Sequence, residues 1–160
     1  MLEKIEFKDT DELYILGDII DRGNKPIDIL NYIINHKNIT LLKGNHEDMM
    51  CTFLLDEDLS LWMLNGGSTT YSQILANQDV NYIDKVCDYF KKRPTVMVVG
   101  KYILVHGGLT FPKNYKELTI EEFIKVQDKE ECLWQRSHIG NEKQFKDYTI
   151  ICGHTPVQNI

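Results

Sequence analysis

Short apolar runs alternate along the chain with segments of helical periodicity. Leu13–Leu16 is an apolar run that stops at Gly17-Asp18, the pattern of a buried strand. Lys25–His36 follows, with Pro26 suited to a first helical turn and Ile27, Leu30, Ile33 and Ile34 on one face. Ile39–Leu42 predicts a second strand, ending in Lys-Gly-Asn-His. Helices are expected from about Glu47 to Leu55 and from Val80 to Lys91, the second stopped by Pro94. Thr95–Val99 and Tyr102–Val105 flank Gly100-Lys101, a two-residue connection that predicts a hairpin. Thr119–Val126 reads as a helix, with Thr119 and Glu122 in capping-box spacing. Tyr148–Cys152 predicts the last strand, ending in Gly-His. No repeat, low-complexity tract or Pro/Gly-rich linker divides this mixed α and β pattern, so a single domain over residues 1–160 is expected.

The polar residues that stop these runs carry the chemistry. Four apolar runs end in glycine beside a residue able to bind metal: Gly17-Asp18, Gly44-Asn45-His46, His106-Gly107-Gly108 and Gly153-His154. Open α/β sheets place ligands at the carboxyl ends of their strands, so the four positions can meet in one cleft. Each end taken alone is equally a turn, because Gly and Asp commonly terminate strands. Three of five histidines at such ends is a stronger signal. One Asp, one Asn and two His form a mixed nitrogen and oxygen set suited to Mn²⁺, Fe²⁺ or Zn²⁺ rather than Mg²⁺ or Ca²⁺. In Gly17-Asp18-Ile19-Ile20-Asp21-Arg22-Gly23, one carboxylate can bind metal while the other orients a histidine, and Arg22 offers a fork to phosphate. His46, beside the amide of Asn45, is placed to act as a general acid.

Composition narrows the class. The content is 42% hydrophobic and 26% charged, ordinary for a soluble globular protein. No run of 18 apolar residues and no secretory pattern occurs, so a cytoplasmic protein without a membrane partner is expected. A net charge of −6 argues against a nucleic-acid backbone as partner. The four cysteines form no CxxC pair and read as buried or free thiols.

GDIIDRG, GNHE, HGG and GHTP, in this order over residues 17–156, resemble the motifs of the calcineurin-like metallophosphoesterases, in particular the bacterial and phage Ser/Thr protein phosphatases. GNHEDMM, LNGGSTT at Leu64–Thr70 and LWQR at Leu133–Arg136 fit the bacterial branch. The resemblance implies a four-layer α/β (α+β) sandwich, two mixed β-sheets flanked by helices. It implies that Asp18 bridges two divalent ions, Mn²⁺ first and Fe or Zn as alternatives, and that Asn45, His106 and His154 complete the second ion's ligands. It makes His46 the general acid, Asp21 its orienting partner, and Arg22 and Arg136 the phosphate-binding arginines. The activity implied is hydrolysis of phosphate monoesters, in phosphoprotein or small phosphoester substrates, with phosphoserine or phosphothreonine in proteins favoured. Symmetrical cleavage of diadenosine tetraphosphate and a non-catalytic phosphatase-like binding module are the alternatives.

The family also carries an earlier Asp-x-His motif, whereas 17 residues precede Asp18 and the first histidine is His36. Asp9 and Asp11 lie in a polar turn with no histidine nearby. The expectation is a chain truncated at both ends, with Met1–Phe7 the tail of a helix, holding one ion instead of two. His36, at a helix end, has the ordinary reading of a histidine near the C-terminal dipole. The Asp56–Asp58 run reads as surface loop, as does His138, with an approach to the cleft as its alternative; Trp62 and Trp134 read as core, with the lining of a substrate groove as theirs. Gly66–Thr70 reads either as an anion cradle or as the turn leading into a helix.

Overall fold

The computed structural model describes residues 2–56, 59–77, 79, 81–136 and 143–156. His138 and part of the Asp56–Asp58 run lie outside these residues. The chain opens with a short 3₁₀ helix, Leu2–Ile5, where the tail of a longer helix was expected.

Strand β1 (Leu13–Ile15) and strand β2 (Ile39–Leu41) pair in parallel, with Leu13 opposite Ile39 and Ile15 opposite Leu41. A parallel pair needs a crossover, and helix α1 (Pro26–Asn35) supplies it. Pro26, Ile27, Leu30 and Ile33 are its buried face, while Ile34 in the last turn stays 44% exposed. The buried stripe thus ends one residue earlier than the periodicity suggests. Helix α2 (Asn45–Asp56) starts two residues before the expected Glu47. Helices α3 (Leu59–Leu64), α4 (Ser68–Leu75) and α5 (Tyr82–Lys91) follow.

The second sheet has the order β3-β4-β5. Strands β3 (Val96–Val99) and β4 (Tyr102–Val105) form the expected hairpin, and Gly100 supplies the left-handed turn residue at φ +57°. Strand β5 (Thr149–Cys152) lies parallel to β4, with Val105 opposite Cys152. Helices α6 (Ile120–Lys125) and α7 (Lys129–Trp134) cross between them. Thr119 and Glu122 close the capping box at the start of α6. Asp128 caps α7 by accepting from the Glu131 backbone N–H. The fold is a mixed α/β architecture of two sheets flanked by helices, and among the described residues no helix is long and apolar enough to cross a membrane.

Two cores hold the sheets in place. One gathers Leu30, Leu41, Met50, Phe53, Trp62 and Phe90 around β1, β2, α2 and α5. The other gathers Ile103, Val105, Phe123, Cys132 and Phe145, with the Phe123 and Phe145 rings stacked at 4.0 Å. Both parallel pairs point their carboxyl ends at one place. There Gly17, at φ +88°, packs so tightly that a Cβ would lie 2.5 Å from Gly44 Cα and 2.9 Å from His106 Nδ1.

Gly17→Ala therefore meets backbone as well as an unfavourable φ. We expect it to destabilise the protein by at least about 1 kcal/mol in urea titrations, because the strand ends must move apart. An unchanged midpoint would mean that this contact carries no stability.

Candidate active site

Beyond β1 the backbone takes three left-handed turns on residues that have a Cβ, Asp18 at φ +56°, Asp21 at +70° and Arg22 at +57°, and His154 follows β5 at +61°. Each such residue costs on the order of 1–3 kcal/mol and persists only where its surroundings over-determine it. Glu47 supplies much of that constraint. Its side chain, 0% exposed, accepts from the backbone N–H of Asp18 (2.9 Å), Ile19 (2.9 Å) and Gly44 (2.8 Å), tying the loops after β1 and β2 together. Burial first, then the Asp18 charge, pushes its carboxyl up to about 7, against the pull of the three N–H donors. Asp18 in turn accepts from the His46 N–H at 3.2 Å, a carboxylate at the positive end of α2.

The early start of α2 puts Asn45 and His46 in its first turn, side by side with the ends of β4 and β5. Asn45 Oδ1 lies 2.9 Å from both His106 Nε2 and His154 Nδ1, and the two ring nitrogens are 3.1 Å apart. Asp18 Oδ1 lies 3.4 Å from His106 Nε2. The carboxylate and the two imidazoles present ligand atoms that all lie within 4.8 Å of one another, the only group of three or more such residues among those described. His106 gives its Nδ1 proton to the Leu16 carbonyl, so its Nε2 is a bare lone pair. With Asn45 presenting its oxygen, the contact from Asn45 Oδ1 to His106 Nε2 has no proton to share. His154 Nε2 is buried with no hydrogen-bond partner among the described residues. Burial, then the His106 and Arg136 charges, pushes His154 down to about 4, and burial likewise lowers His106, keeping both rings neutral and able to ligate. With His154 Nδ1 unprotonated, the lone pairs face one another and fit a divalent cation, with Asp18, Asn45, His106 and His154 as its donors.

Next to this cluster, His46 Nδ1 and Asp21 Oδ2 are 2.5 Å apart, and the Asp21 side chain is fully buried. Trp62 Nε1 donates to Asp21 Oδ2 at 2.8 Å and the Thr70 hydroxyl to Oδ1 at 2.6 Å. On the other side of the ring, Arg22 Nη2 lies 3.0 Å from His46 Nε2. Arginine only donates, so Nε2 is the acceptor in this arrangement and Nδ1 carries the proton. The Asn65 carbonyl accepts from Arg22 Nε at 3.2 Å. Arg136 is exposed, and its charge is felt at both His106 and His154.

Seven of the eight residues singled out in the sequence therefore fall in one contact network, although their positions run from 18 to 154, while Arg136 bears on it through its charge. Asp9 and Asp11 do not join it: both are exposed in the turn before β1, where Asp11 accepts from the Lys8 N–H. His36 stacks on Tyr32 at a ring distance of 3.8 Å, away from the cluster. Sequence reasoning missed Glu47, Trp62 and Thr70. Glu47 stood inside the GNHE motif, and an acidic residue one step after a candidate acid was the available signal. Trp62 and Thr70 had none: the indole N–H sits on a residue that reads as core, and Thr70 lies in a stretch that reads as an anion cradle or a helix-entry turn.

Comparison with known proteins gives the class. The family model for calcineurin-like phosphoesterases matches residues 1–160. Serine/threonine-protein phosphatase 2 of Escherichia coli (strain K12) is 38% identical over 161 residues, covering 96% of this chain and 71% of that protein. The protein of the same name from Salmonella typhimurium is 28% identical, covering 91% and 67%. The symmetrical bis(5'-nucleosyl)-tetraphosphatase of Neisseria meningitidis is 31% identical over 117 residues, which are 68% of this chain but 37% of that protein. A crystal structure provisionally described as a diadenosine tetraphosphatase superimposes with a TM-score of 0.61 at 16% identity, covering 96% of this chain and 66% of its own. The chain belongs to the calcineurin-like phosphoesterases. It is similar both to protein phosphatases and to dinucleotide tetraphosphatases, and it spans little more than a third of the length of the Neisseria tetraphosphatase.

Glu47 makes this site sensitive to pH. A glutamate ordinarily titrates near 4.5, and here near 7, so between those values the folded protein holds a proton that the unfolded chain has lost. Stability from this group therefore falls as pH rises through that window. In metal-free protein, Glu47→Gln is expected to gain about 3 kcal/mol relative to wild type between the two ends of the window, read from urea midpoints. A difference that stays flat with pH would show that Glu47 titrates as an ordinary carboxylate.

Proposed function

We propose that this chain hydrolyses phosphate monoesters, with phosphoserine and phosphothreonine in proteins as its substrates. The observation that carries the proposal is the adjacency of a cation-fitting cluster and the His46–Asp21 pair, with Arg22 at the outer nitrogen of His46. A divalent ion held by Asp18, Asn45, His106 and His154 would supply charge to polarise a phosphoryl oxygen. The protein side chains do the rest. Arg22, and Arg136 from the opposite sheet's connection, bind the equatorial phosphate oxygens through charge-assisted hydrogen bonds. His46 delivers a proton from Nε2 to the leaving oxygen, and Asp21, accepting from Nδ1, steadies the ring and its positive charge. A proton on Nε2 is incompatible with the Arg22 contact. Substrate phosphate, a stronger partner for the guanidinium than an imidazole, draws Arg22 away and frees that nitrogen.

The 38% identity to a protein phosphatase over nearly the whole chain favours the phosphoprotein reading over the tetraphosphatase one, whose similarity spans 68% of the chain. A cavity of about 770 Å³ beside the strand ends, lined by Gly108, Thr110, Phe111, Asp128, Gln135 and Cys152 among others, leaves room for the group that carries the phosphate. Side-by-side turnover of a phosphothreonine peptide and of diadenosine tetraphosphate separates the readings. Faster release from the peptide supports the proposal, and preference for the dinucleotide reverses it.

Equilibrium dialysis against Mn²⁺ is expected to leave about one ion per chain, because one ligand set of this size occurs among the described residues. Retention of two ions would bring Asp9 or Asp11 back into consideration. His46→Ala should lower kcat roughly 10²–10⁴-fold with that ion retained. Loss of the ion, or an unchanged kcat, would remove His46 from the acid role. Arg22→Ala and Arg136→Ala should each weaken inhibition by inorganic phosphate, and a variant that leaves inhibition unaltered does not bind the phosphate.

A further inference from the structure

The stretch from α3 into α4 holds the acid–base pair in a way that its composition does not suggest. Among the described residues, the Asp21 side chain is reached by three donors and no acceptor: His46 Nδ1 and Trp62 Nε1 at Oδ2, and the Thr70 hydroxyl at Oδ1. Thr70 is bound twice, since its oxygen also accepts from the Asp21 N–H at 2.9 Å. That second bond fixes the backbone of Asp21, one of the left-handed residues, together with its side chain. Thr70 is 0% exposed and Trp62 1%. The glycines between them make the grip close. A Cβ on Gly67 would lie 2.6 Å from the Trp62 indole, and one on Gly66 would lie 2.9 Å from Arg22 Cγ. The Gly66 carbonyl accepts from the Arg22 N–H at 3.3 Å, so the same turn braces Arg22.

We propose that Thr70 and Trp62 are positioning residues for the His46–Asp21 pair. By placing a fixed donor on each oxygen of Asp21, they hold its carboxylate in the plane where it accepts from His46 Nδ1. His46 is thereby kept in one tautomer, with Nε2 turned to the leaving oxygen. A buried carboxylate with one partner removed can rotate about its last bond, and the imidazole it steers turns with it. The turn at Gly66–Thr70 acts on the protein's own acid and not on a bound anion. The inference rests on His46 being the general acid, and the test is arranged to separate the two.

The test uses the metal-loaded chain and its variants Thr70→Val, Thr70→Ser, Trp62→Phe and His46→Ala. Two aryl phosphates are compared, phenyl phosphate with a poor leaving group and 2,4-dinitrophenyl phosphate with a good one. The good leaving group needs no proton, so a displaced acid is felt only with the poor one. Thr70→Val and Trp62→Phe should lower kcat/KM for phenyl phosphate roughly tenfold and for the dinitrophenyl ester less than about twofold, while Thr70→Ser restores the first. The second readout needs no turnover: correlation spectra of the histidine ring nitrogens, with His46 assigned by its loss in His46→Ala. Wild type should show His46 protonated at Nδ1 with a strongly downfield proton, and this signal should move in Thr70→Val and Trp62→Phe and return in Thr70→Ser. A signal unmoved in both variants, or moved without any leaving-group selectivity, overturns the inference. If His46→Ala itself loses both substrates equally, the acid assignment has failed and the inference falls with it. If His46→Ala is selective while both variants behave as wild type, the inference alone has failed.

Discussion

Electron pairs from four distant points of the chain are made to face one another at the strand ends, and much of the structure can be read as the means of forcing that contact. Left to themselves, a carboxylate, an amide oxygen and two imidazole nitrogens would separate or recruit water. They are kept together because each is anchored from behind. The Leu16 carbonyl accepts from His106 Nδ1–H, α2 presents Asn45 from its first turn, and the positive end of the same helix faces Asp18. His154 is held in a left-handed conformation directly after β5. A cation gives all four donors a common partner, which is why this arrangement suits metal chemistry.

Two buried carboxylates divide the work of supporting that centre. Glu47 faces backbone and joins the loops after β1 and β2, and so governs where Asp18 and Asn45 stand. Asp21 faces side chains and governs how His46 is turned. Both are shielded from water, and both are surrounded by donors, so neither is free to settle elsewhere. The strained residues of the loop, Asp18, Asp21 and Arg22, sit between these two anchors. Strain is affordable there because the backbone is fixed from both sides.

The outline of the fold and the identity of the polar cluster were legible in the sequence because both depend on short-range rules. Apolar runs broken by glycine gave β1, β2, β4 and β5, and the turn chemistry of Gly100-Lys101 gave the β3–β4 hairpin. The capping box at Thr119 marked α6 correctly for the same reason. What failed depended on tertiary contact. Helix α2 was placed two residues late because Asn45 and His46 look like loop residues, and only Asp18 across the cleft makes a helical first turn favourable for them. Ile34 fits the apolar stripe of α1 by spacing, yet no core reaches it. Trp62 was expected in the core and is there, but its indole N–H does a second task that periodicity cannot express. Gly66–Thr70 offered two readings from sequence, and Ser68 does begin α4. The bonds from Thr70 to Asp21 span 49 residues and have no local signature.

The family of the chain follows from a match over its whole length, whereas the residues proposed to hold the metal rest on geometry. The most direct test of that geometry is X-ray absorption at the zinc edge of protein loaded with one equivalent of Zn²⁺. The account predicts two imidazole nitrogens among the nearest ligands, with oxygens completing the shell, and the loss of one imidazole contribution in His154→Ala. A spectrum with no imidazole scattering, or one that His154→Ala leaves unchanged, would contradict it.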